Sequence, residues 1–414
     1  YDGGIYYRLN KHKWDYDDAH ILNNWRKAYT CINNCNRLIY EFDNAGVSNE
    51  GMTSEIRVAR AFWYFVLCDM YGNVPTQTEY DVPEGYLPET SSRQEVFDFI
   101  IKELDEVAPY LPLNYNEEPG MEIGRATRIA AYALKARTLL YAASPLFNPS
   151  NDKGKWADAA EACKYILDNA THWGLKLSAY SALWGHDAFY NPEIIFGLGR
   201  GESNSFEMAN YPVGVENGAS GNCPTQSFVD QYEYQDNGET FGSRYPEQID
   251  LNVVDPYAGL DPRFALTVVK NGDEWPSNGA QKKVIETYYG GFNASPTYGA
   301  TPTGYYLRKY VDGNCVTTAD NQITRRHTWI IFRLGEFSLD FAEAAFNATG
   351  SANDATYGMS ANDAINVLRT RKDIQMPKFT EDGAAWVERY ERERLVELAF
   401  ENHRFWDVRR WKKG

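Results

Sequence analysis

The sequence has 414 residues, 43% hydrophobic and 24% charged, a globular composition long enough to bury a large core without disulfides or metals. Its 41 basic and 57 acidic residues give a net charge of −16. This charge argues against a nucleic-acid-binding protein, because such proteins bind phosphates through Lys and Arg. It also opposes adhesion to anionic lipids. No apolar run approaches the ~18 residues needed to cross a bilayer.

Apolar residues spaced three and four apart predict five successive helices in the first half of the chain. Their apolar stripes cover residues 21–42, 56–70, 96–107, 127–143 and 156–167. Gly72 is predicted to end the second helix, and a capping box of Ser92 and Glu95 is predicted to begin the third.

The middle of the chain has a different character. Residues 191–199, NPEIIFGLG, predict a short buried strand, and GLGRG at 197–201 predicts an ordinary turn. From there to about residue 326 the sequence is rich in Gly, Pro, Asn and Tyr and has little periodicity. A structureless loop of this length is improbable inside a compact domain. We therefore expect an irregular subdomain of loops and short strands.

Helices are predicted to resume after His327. Apolar stripes cover residues 330–345, 362–372 and 386–402. The predicted plan is a single domain over residues 1–414. It has a helical block at about 15–175, an irregular insert at about 190–326 and a second helical block at about 327–414.

The sequence offers little that indicates catalysis. It has no G-x-S-x-G, H-E-x-x-H or phosphate-binding Gly loop, its six His are scattered, and its six Cys include no C-x-x-C. We therefore predict no metal and no cofactor. Fifty-seven carboxylates guarantee accidental pairs, so no acid/base pair is assigned.

The densest motif is ERERLVELAFENHRFWDVRRW, residues 391–411. Glu393, Glu397 and Glu401 are spaced four apart, which places them on one face of a helix. Counter-charges are available from Arg394, Arg404, Arg409 and Arg410. We interpret the motif as a structural network of charge-assisted hydrogen bonds, and not as an anion-binding or catalytic site.

This motif resembles the C-terminal signature of the SusD/RagB-like family of outer-membrane nutrient-capture lipoproteins of Bacteroidetes. Other segments resemble the family in the same order. They are RVARAFWYFVLCDMYGNVP (57–75), GRATRIAAYALKARTLLYAA (124–143), NPEIIF (191–196), FVDQYEYQDNG (228–238), LDPRF (260–264), YYLRKY (305–310), FRLGEFSLDFAEAAF (332–346) and INVLRTRKD (365–373). The resemblance covers the chain from about Trp14 onward.

The resemblance implies a mainly α fold in which tetratricopeptide-like helix pairs form a scaffold and a large insert of loops and short strands packs on it. The fixed 34-residue repeat is not visible in the sequence. Such proteins are non-catalytic, lie at the cell surface on a lipid anchor, and capture oligosaccharides for a TonB-dependent, SusC-like transporter. No signal peptide is recognisable from Tyr1, so we expect the signal peptide and the anchor outside this chain.

The resemblance also implies where the ligand binds. One set of aromatic residues precedes the first long helix and corresponds to Tyr6, Tyr7 and Trp14. A second set follows the NPEIIF strand and corresponds to Phe206, Tyr211 and the loop 213–222, with Asn217 and Asn222. Aromatic residues make up 15% of the sequence, with 30 Tyr. Their rings suit the apolar faces of sugars, while Asn side chains suit the hydroxyls.

Several functions remain open at this point. The net charge favours neutral oligosaccharides over polyanions, unless local charge overrides it. Capture of peptides would call for strand edges and alternate pockets. A helical glycoside hydrolase would need two suitably spaced carboxylates. A scaffold for protein partners would show a concave surface without an aromatic cleft.

Overall fold

The computed structural model describes residues 19–46, 49–83, 85–114, 124–186, 188–247, 254–275, 283–318 and 320–413. Its contacts divide the chain into two compact units. The helical unit comprises Asp2–Leu175, Glu336–Ala361 and Phe405–Gly414, as far as these segments are described. The loop unit comprises Lys176–Gly335 and Asn362–Arg404. The single-domain assignment stays a prediction.

The five helices predicted in the first half of the chain are all confirmed, in the helical unit. They are α1 (Ala19–Asn44), α2 (Glu50–Tyr71), α3 (Arg93–Val107), α4 (Arg128–Ala143) and α5 (Lys153–Asn169). Each packs against the next in sequence, and a short antiparallel pair, β1 (Val74–Pro75) and β2 (Thr90–Ser91), lies between α2 and α3. None of the described helices is long and apolar enough to cross a membrane.

The predicted helix boundaries have the expected chemistry. Helix α2 ends at Gly72, whose φ of +84° lies in the left-handed region and whose N–H donates to the Cys68 carbonyl. Helix α3 begins with the complete capping box. The Glu95 N–H donates to Ser92 Oγ, and the Ser92 N–H donates to the Glu95 carboxylate at 2.7 Å.

The loop unit is built around one long antiparallel pair, β3 (Ile194–Ser203) and β8 (Arg325–Arg333), in which Leu198 lies opposite Trp329. Between these strands lie short elements: α6 (Ser205–Asn210), α7 (Gln226–Val229), α8 (Phe241–Arg244), α9 (Pro262–Thr267), β4 (Val268–Val269), β5 (Glu274–Trp275), β6 (Lys283–Val284) and β7 (Tyr306–Leu307). Strand β4 pairs with β7, and β5 pairs with β6.

The remaining helices are α10 (Leu334–Thr349), α11 (Ala361–Arg369), α12 (Gly383–Glu397) and α13 (Arg404–Arg410). The described chain is therefore mainly α, as predicted.

Two local predictions were wrong because tertiary pairing decides them. GLGRG is not a turn but part of β3, where a Cβ at Gly197 would come within 2.9 Å of the Thr328 side chain and one at Gly199 within 2.9 Å of the Phe189 ring. Residues 327–333 are not helical but belong to β8, because β3 offers a hydrogen-bonding partner to this β-branched and aromatic run. The second helical block begins at Leu334.

The last long helix is also shorter than predicted. It ends at Glu397, and the chain then turns through Phe400 and Asn402, whose φ values of +59° and +64° lie in the left-handed region. Glu401 therefore lies in a turn and not on the helix. Its side chain nevertheless reaches the same interior as those of Glu393 and Glu397.

That interior holds a network of buried ion pairs in the loop unit. Glu397 accepts from Arg263 at 2.8 Å, Arg371 at 2.9 Å and Arg333 at 3.0 Å, and its side chain is fully buried. Arg333 also donates to Glu193 and Glu401, at 2.9 and 2.7 Å. These opposite charges hold the pKa of Glu397 and of Glu401 below the usual range, despite burial.

The network extends beyond Glu397 with its charges in balance. Arg263 also binds Asp261 and Glu393, and Arg369 joins Glu393 to Glu233. The buried members are the carboxylates of Glu193, Glu233, Asp261, Glu393, Glu397 and Glu401 and the cations Arg263, Lys309, Arg333, Arg369, Arg371 and Arg389. The terminal motif is thus structural, as interpreted.

Two of the predicted counter-charges, Arg404 and Arg410, were wrong. The partners of the three glutamates come from segments far away in sequence, while Arg404 is exposed. Arg410 belongs to the helical unit, where it binds Glu343 in a bidentate pair with both contacts at 2.6 Å. The network also requires glycine at position 335, because a Cβ there would come within 2.8 Å of the Glu193 carboxylate.

We expect Glu397→Gln to lower the free energy of unfolding by about 3–5 kcal/mol, because it leaves buried guanidinium groups without their counter-charge. Urea unfolding at pH 7 measures this. Glu388→Gln is the matched control: it lies on the same helix and pairs with Arg392, but its side chain is 78% exposed. The control should change stability by less than about 1 kcal/mol. Equal stabilities of the two variants would contradict the structural role.

The helical unit contains a buried carboxylate whose pKa is raised, in contrast to those of Glu397 and Glu401. Burial raises the pKa of Asp69 to about 7, although the charges of Arg409 and Arg410 act in the opposite direction. A carboxyl whose folded pKa exceeds its unfolded value of about 3.9 stabilises the protein at low pH. This contribution is lost as the pH rises from about 4 through 7.

Asp69→Asn should therefore gain about 1–3 kcal/mol of stability relative to the wild type between pH 5 and pH 8.5, because the amide carries no buried charge. Urea unfolding at the two pH values measures the difference. Asp98→Asn, at an exposed position of α3, is the control and should show no such pH dependence. No gain in the relative stability of Asp69→Asn between the two pH values would contradict the interpretation.

Candidate ligand-binding cleft

The loop unit contains an open cleft of about 480 Å³, within the usual range for small-molecule sites. Three segments supply its walls. Trp184, Gly185 and His186 follow a short 3-10 helix at Tyr180–Ala182, the turn 311–314 follows β7, and Arg325 begins β8. The cleft thus combines one large aromatic ring with several polar groups.

A row of aromatic rings extends from the cleft. Trp184 meets Tyr180 edge to face, with 4.8 Å between ring centroids, and lies 6.1 Å from Tyr310. Tyr310 lies 5.1 Å from Trp329, which meets Phe206 edge to face at 4.9 Å. Tyr180 and Tyr310 are buried, whereas Trp184, Trp329 and Phe206 are half-buried. The half-buried rings offer apolar surface to a ligand.

Lys309 connects the ion network to Trp184. Lys309 is fully buried, donates to Glu401 at 2.7 Å and to the Tyr180 hydroxyl at 2.9 Å, and lies 4.8 Å from the Trp184 ring centroid. Burial lowers the pKa of Lys309 to about 8, with Glu401 opposing the shift. Tyr310, next in sequence, has a φ of +67°, which is unfavourable for an aromatic residue and is offset by packing.

The turn at 311–314 is held rigidly. Asp312 Oδ1 accepts from the Asn314 N–H at 2.8 Å and from its side-chain amide at 2.7 Å. The Asp312 N–H donates to Glu207 at 3.0 Å, and the same glutamate oxygen lies 2.8 Å from His327 Nε2. This buried Glu207–His327 pair joins α6 and β8 behind the cleft.

His186 and Arg325 provide the remaining polar groups. His186 Nδ1 accepts from the Arg326 N–H at 3.1 Å, so the proton of the neutral ring resides on Nε2. Arg325, His327 and Trp329 alternate along β8 and so share one face of the strand. Among the described residues, no group of three or more His, Cys, Asp or Glu side chains is arranged to hold a metal ion.

The predicted site residues that the structure describes have different surroundings. Phe206 lies in the row of rings, beside Trp329 and His327. Asn217 binds Thr317, and Asn222 donates to the Asn210 side chain, so both brace the loop. Tyr6, Tyr7 and Trp14 lie outside the described residues.

Tyr211 is a core residue in this structure. Its ring is fully buried in a hydrophobic cluster with Trp275 and Tyr306, and its hydroxyl shares its one proton between the carbonyls of Asp312 and Cys315, both at 2.8 Å. No face of the ring remains for a ligand. Its burial corrects the expectation from the family position.

Trp184, His186, Asp312, Asn314, Arg325 and Trp329 were missed by the sequence-based prediction. Their positions span about a third of the chain, and no spacing rule joins them. The available signal was the short run WGH at 184–186 in a loop, together with a tryptophan in RRHTWIIF at 325–332. Neither pattern identifies a binding site without the fold.

Comparison with known proteins identifies the family. A family model described as the SusD family matches residues 192–414, more than half of the chain. A second, described as starch-binding associating with outer membrane, matches residues 5–140. The chain belongs to the SusD family, which confirms the resemblance predicted from the sequence motifs. No curated protein matches the chain.

Solved structures show the same fold. A SusD-like protein from Bacteroides fragilis is 27% identical, with a TM-score of 0.82 over 99% of this chain and 79% of that one. A SusD-like carbohydrate binding protein from the same species is 24% identical, with a TM-score of 0.78 over 97% and 75% of the two chains. Surface glycan-binding protein A from Bacteroides uniformis is 18% identical, with a TM-score of 0.60 over 94% and 74%.

Tyr211→Phe should lower the free energy of unfolding by about 1–3 kcal/mol, because two buried carbonyls lose the hydroxyl that donates to them. Chemical denaturation measures the change. Tyr298→Phe is the control, because this side chain is 99% exposed and its hydroxyl is free to bind water. If both variants were equally stable, the Tyr211 hydroxyl would have no structural role.

Proposed function

We propose that this protein is a non-catalytic surface protein that captures oligosaccharides and passes them to a TonB-dependent, SusC-like transporter of the outer membrane. The observation that carries the proposal is the cleft, in which the half-buried Trp184 stands beside His186, Asn314 and Arg325. The proposal is also supported by the names of the second family model and of two structural neighbours. These names refer to starch, carbohydrate and surface glycans.

The cleft has the chemistry that a sugar requires. An indole ring covers the apolar C–H face of a pyranose, and amide, imidazole and guanidinium groups donate to its hydroxyls. Each of these hydrogen bonds replaces one to water, so each contributes little net free energy. We expect dissociation constants from micromolar to millimolar, about −8 to −4 kcal/mol. Such weak binding suits a protein that releases its ligand to a transporter.

The polar groups of the cleft also support a role without catalysis. Glycoside hydrolysis uses two carboxylates separated by about 5–5.5 or 6.5–9.5 Å. Among the described residues that line the cleft, Asp312 supplies the single carboxylate, and one of its oxygens already accepts two hydrogen bonds from Asn314. Glu207 lies behind the turn and is fully buried. The cleft is therefore equipped for binding.

Trp184→Ala should weaken binding of oligosaccharides at least tenfold, because it removes the ring on which the sugar lies. Calorimetry with ligands found on a glycan array measures this. Tyr110→Ala, an exposed aromatic residue of the helical unit, is the control and should bind as the wild type does. Wild-type affinity in Trp184→Ala would remove the cleft as the site.

A second measurement tests the absence of catalysis. After long incubation of the wild-type protein with a ligand, chromatography should return the intact sugar. Shortened products that also arise with Trp184→Ala would indicate a contaminating hydrolase. Shortened products that only the wild-type protein forms would make it an enzyme.

A further inference from the structure

We infer that the cleft recognises an acidic sugar through its carboxylate, and that Arg325 binds this group. The inference rests on the proposed function, since it names the ligand class of the same cleft. Its starting observation is that Arg325 lines the cleft while its Nε is buried and has no hydrogen-bond partner. Among the described residues, Arg325 also forms no ion pair.

Arg325 differs in this respect from the other arginines of the described chain that have a buried, unpartnered Nε. Arg308, Arg371 and Arg392 each bind a carboxylate through another nitrogen of the same guanidinium. The guanidinium of Arg93 faces the Phe147 ring at 5.5 Å. Arg325 is the member of this group that lines the candidate cleft.

The chemistry of the guanidinium selects the ligand. The Nε of Arg325 has almost no exposed surface, so a ligand in the cleft meets the terminal nitrogens of the guanidinium. The planar fork of an arginine matches the two oxygens of a carboxylate and binds them with two parallel charge-assisted hydrogen bonds. A sugar hydroxyl offers a single oxygen atom and carries no charge. A carboxylate therefore satisfies Arg325 better than any neutral group of a sugar.

The other charged and titratable groups of the cleft are compatible with this assignment. Asp312 is the acidic residue among the described residues that line the cleft, and its Oδ1 accepts two hydrogen bonds from Asn314. His186 accepts on Nδ1 and so presents a donor on Nε2. Trp184 supplies the stacking surface. A sugar ring on Trp184 can thus place its carboxylate among donors.

The net charge of −16 limits the ligand in a second way. Repulsion from the whole protein is screened beyond a Debye length of about 8 Å at physiological salt, whereas the contact with Arg325 is local. A densely charged polyanion suffers repulsion along its length, but an oligosaccharide with an occasional acidic unit does not. We therefore assign an oligosaccharide with isolated carboxylates, and this modifies the expectation of a neutral ligand from net charge alone.

A glycan array with matched neutral, carboxylated and sulfated oligosaccharides tests the inference. The wild-type protein should retain carboxylated glycans in preference to their neutral counterparts. Arg325→Met should weaken this binding at least tenfold by calorimetry, and Arg325→Lys should restore part of it, because it returns the charge without the fork. Arg326→Met is the matched control: this neighbour is exposed, alternates to the other face of β8, and should bind as wild type does.

The outcomes separate the two proposals. Carboxylated glycans bound no more tightly than their neutral counterparts, and equally well by wild type and Arg325→Met, would overturn the acidic-sugar assignment and leave oligosaccharide capture in place. Binding restricted to sulfated glycans would overturn the carboxylate assignment. If the folded wild-type protein retained no glycan of any class, both proposals would fail. Melting temperatures of all variants verify that a loss of binding does not reflect unfolding.

Discussion

The loop unit depends on a set of glutamates that can be charged in its interior only because arginines from several segments surround them. A single one of them, Glu397, accepts hydrogen bonds from three segments: α9, the end of β8 and the residues after α11. Buried ion pairs add little to stability relative to apolar residues of the same volume, but a single missing partner is costly. The network therefore constrains the fold, because all of these segments must be in place for its buried charges to be compensated.

The same network reaches the candidate ligand site. Lys309 is neutralised by Glu401 and in turn supports the rings of Tyr180 and Trp184. The cleft wall is thus connected to a buried, charge-balanced network and does not depend on the loops alone. A binding surface whose rings are fixed before the ligand arrives loses less entropy on binding, which matters most where each contact is weak.

Charge acts on two length scales in this protein. The overall excess of acidic residues sets the long-range field, and most buried arginines are already used within the fold. Arg325 stands apart because it lines the cleft without such a partner. Since short-range hydrogen bonds to a guanidinium are screened much less than long-range repulsion, the local cation decides which ligand groups are favourable.

The sequence by itself determined the helices of the first half, because apolar spacing and caps such as Ser92–Glu95 are local properties. It also determined the family, because its motifs are contiguous, and the structural character of the terminal glutamates. Only the tertiary structure decided that residues 325–333 form a strand, since that choice depends on β3. The tertiary structure also determines the partners of Glu393 and Glu397. One of these partners, Arg263, lies 130 residues from Glu393. Trp184, Asp312 and Arg325 share a cleft for the same reason: contacts between distant segments, and not spacing along the chain, bring them together.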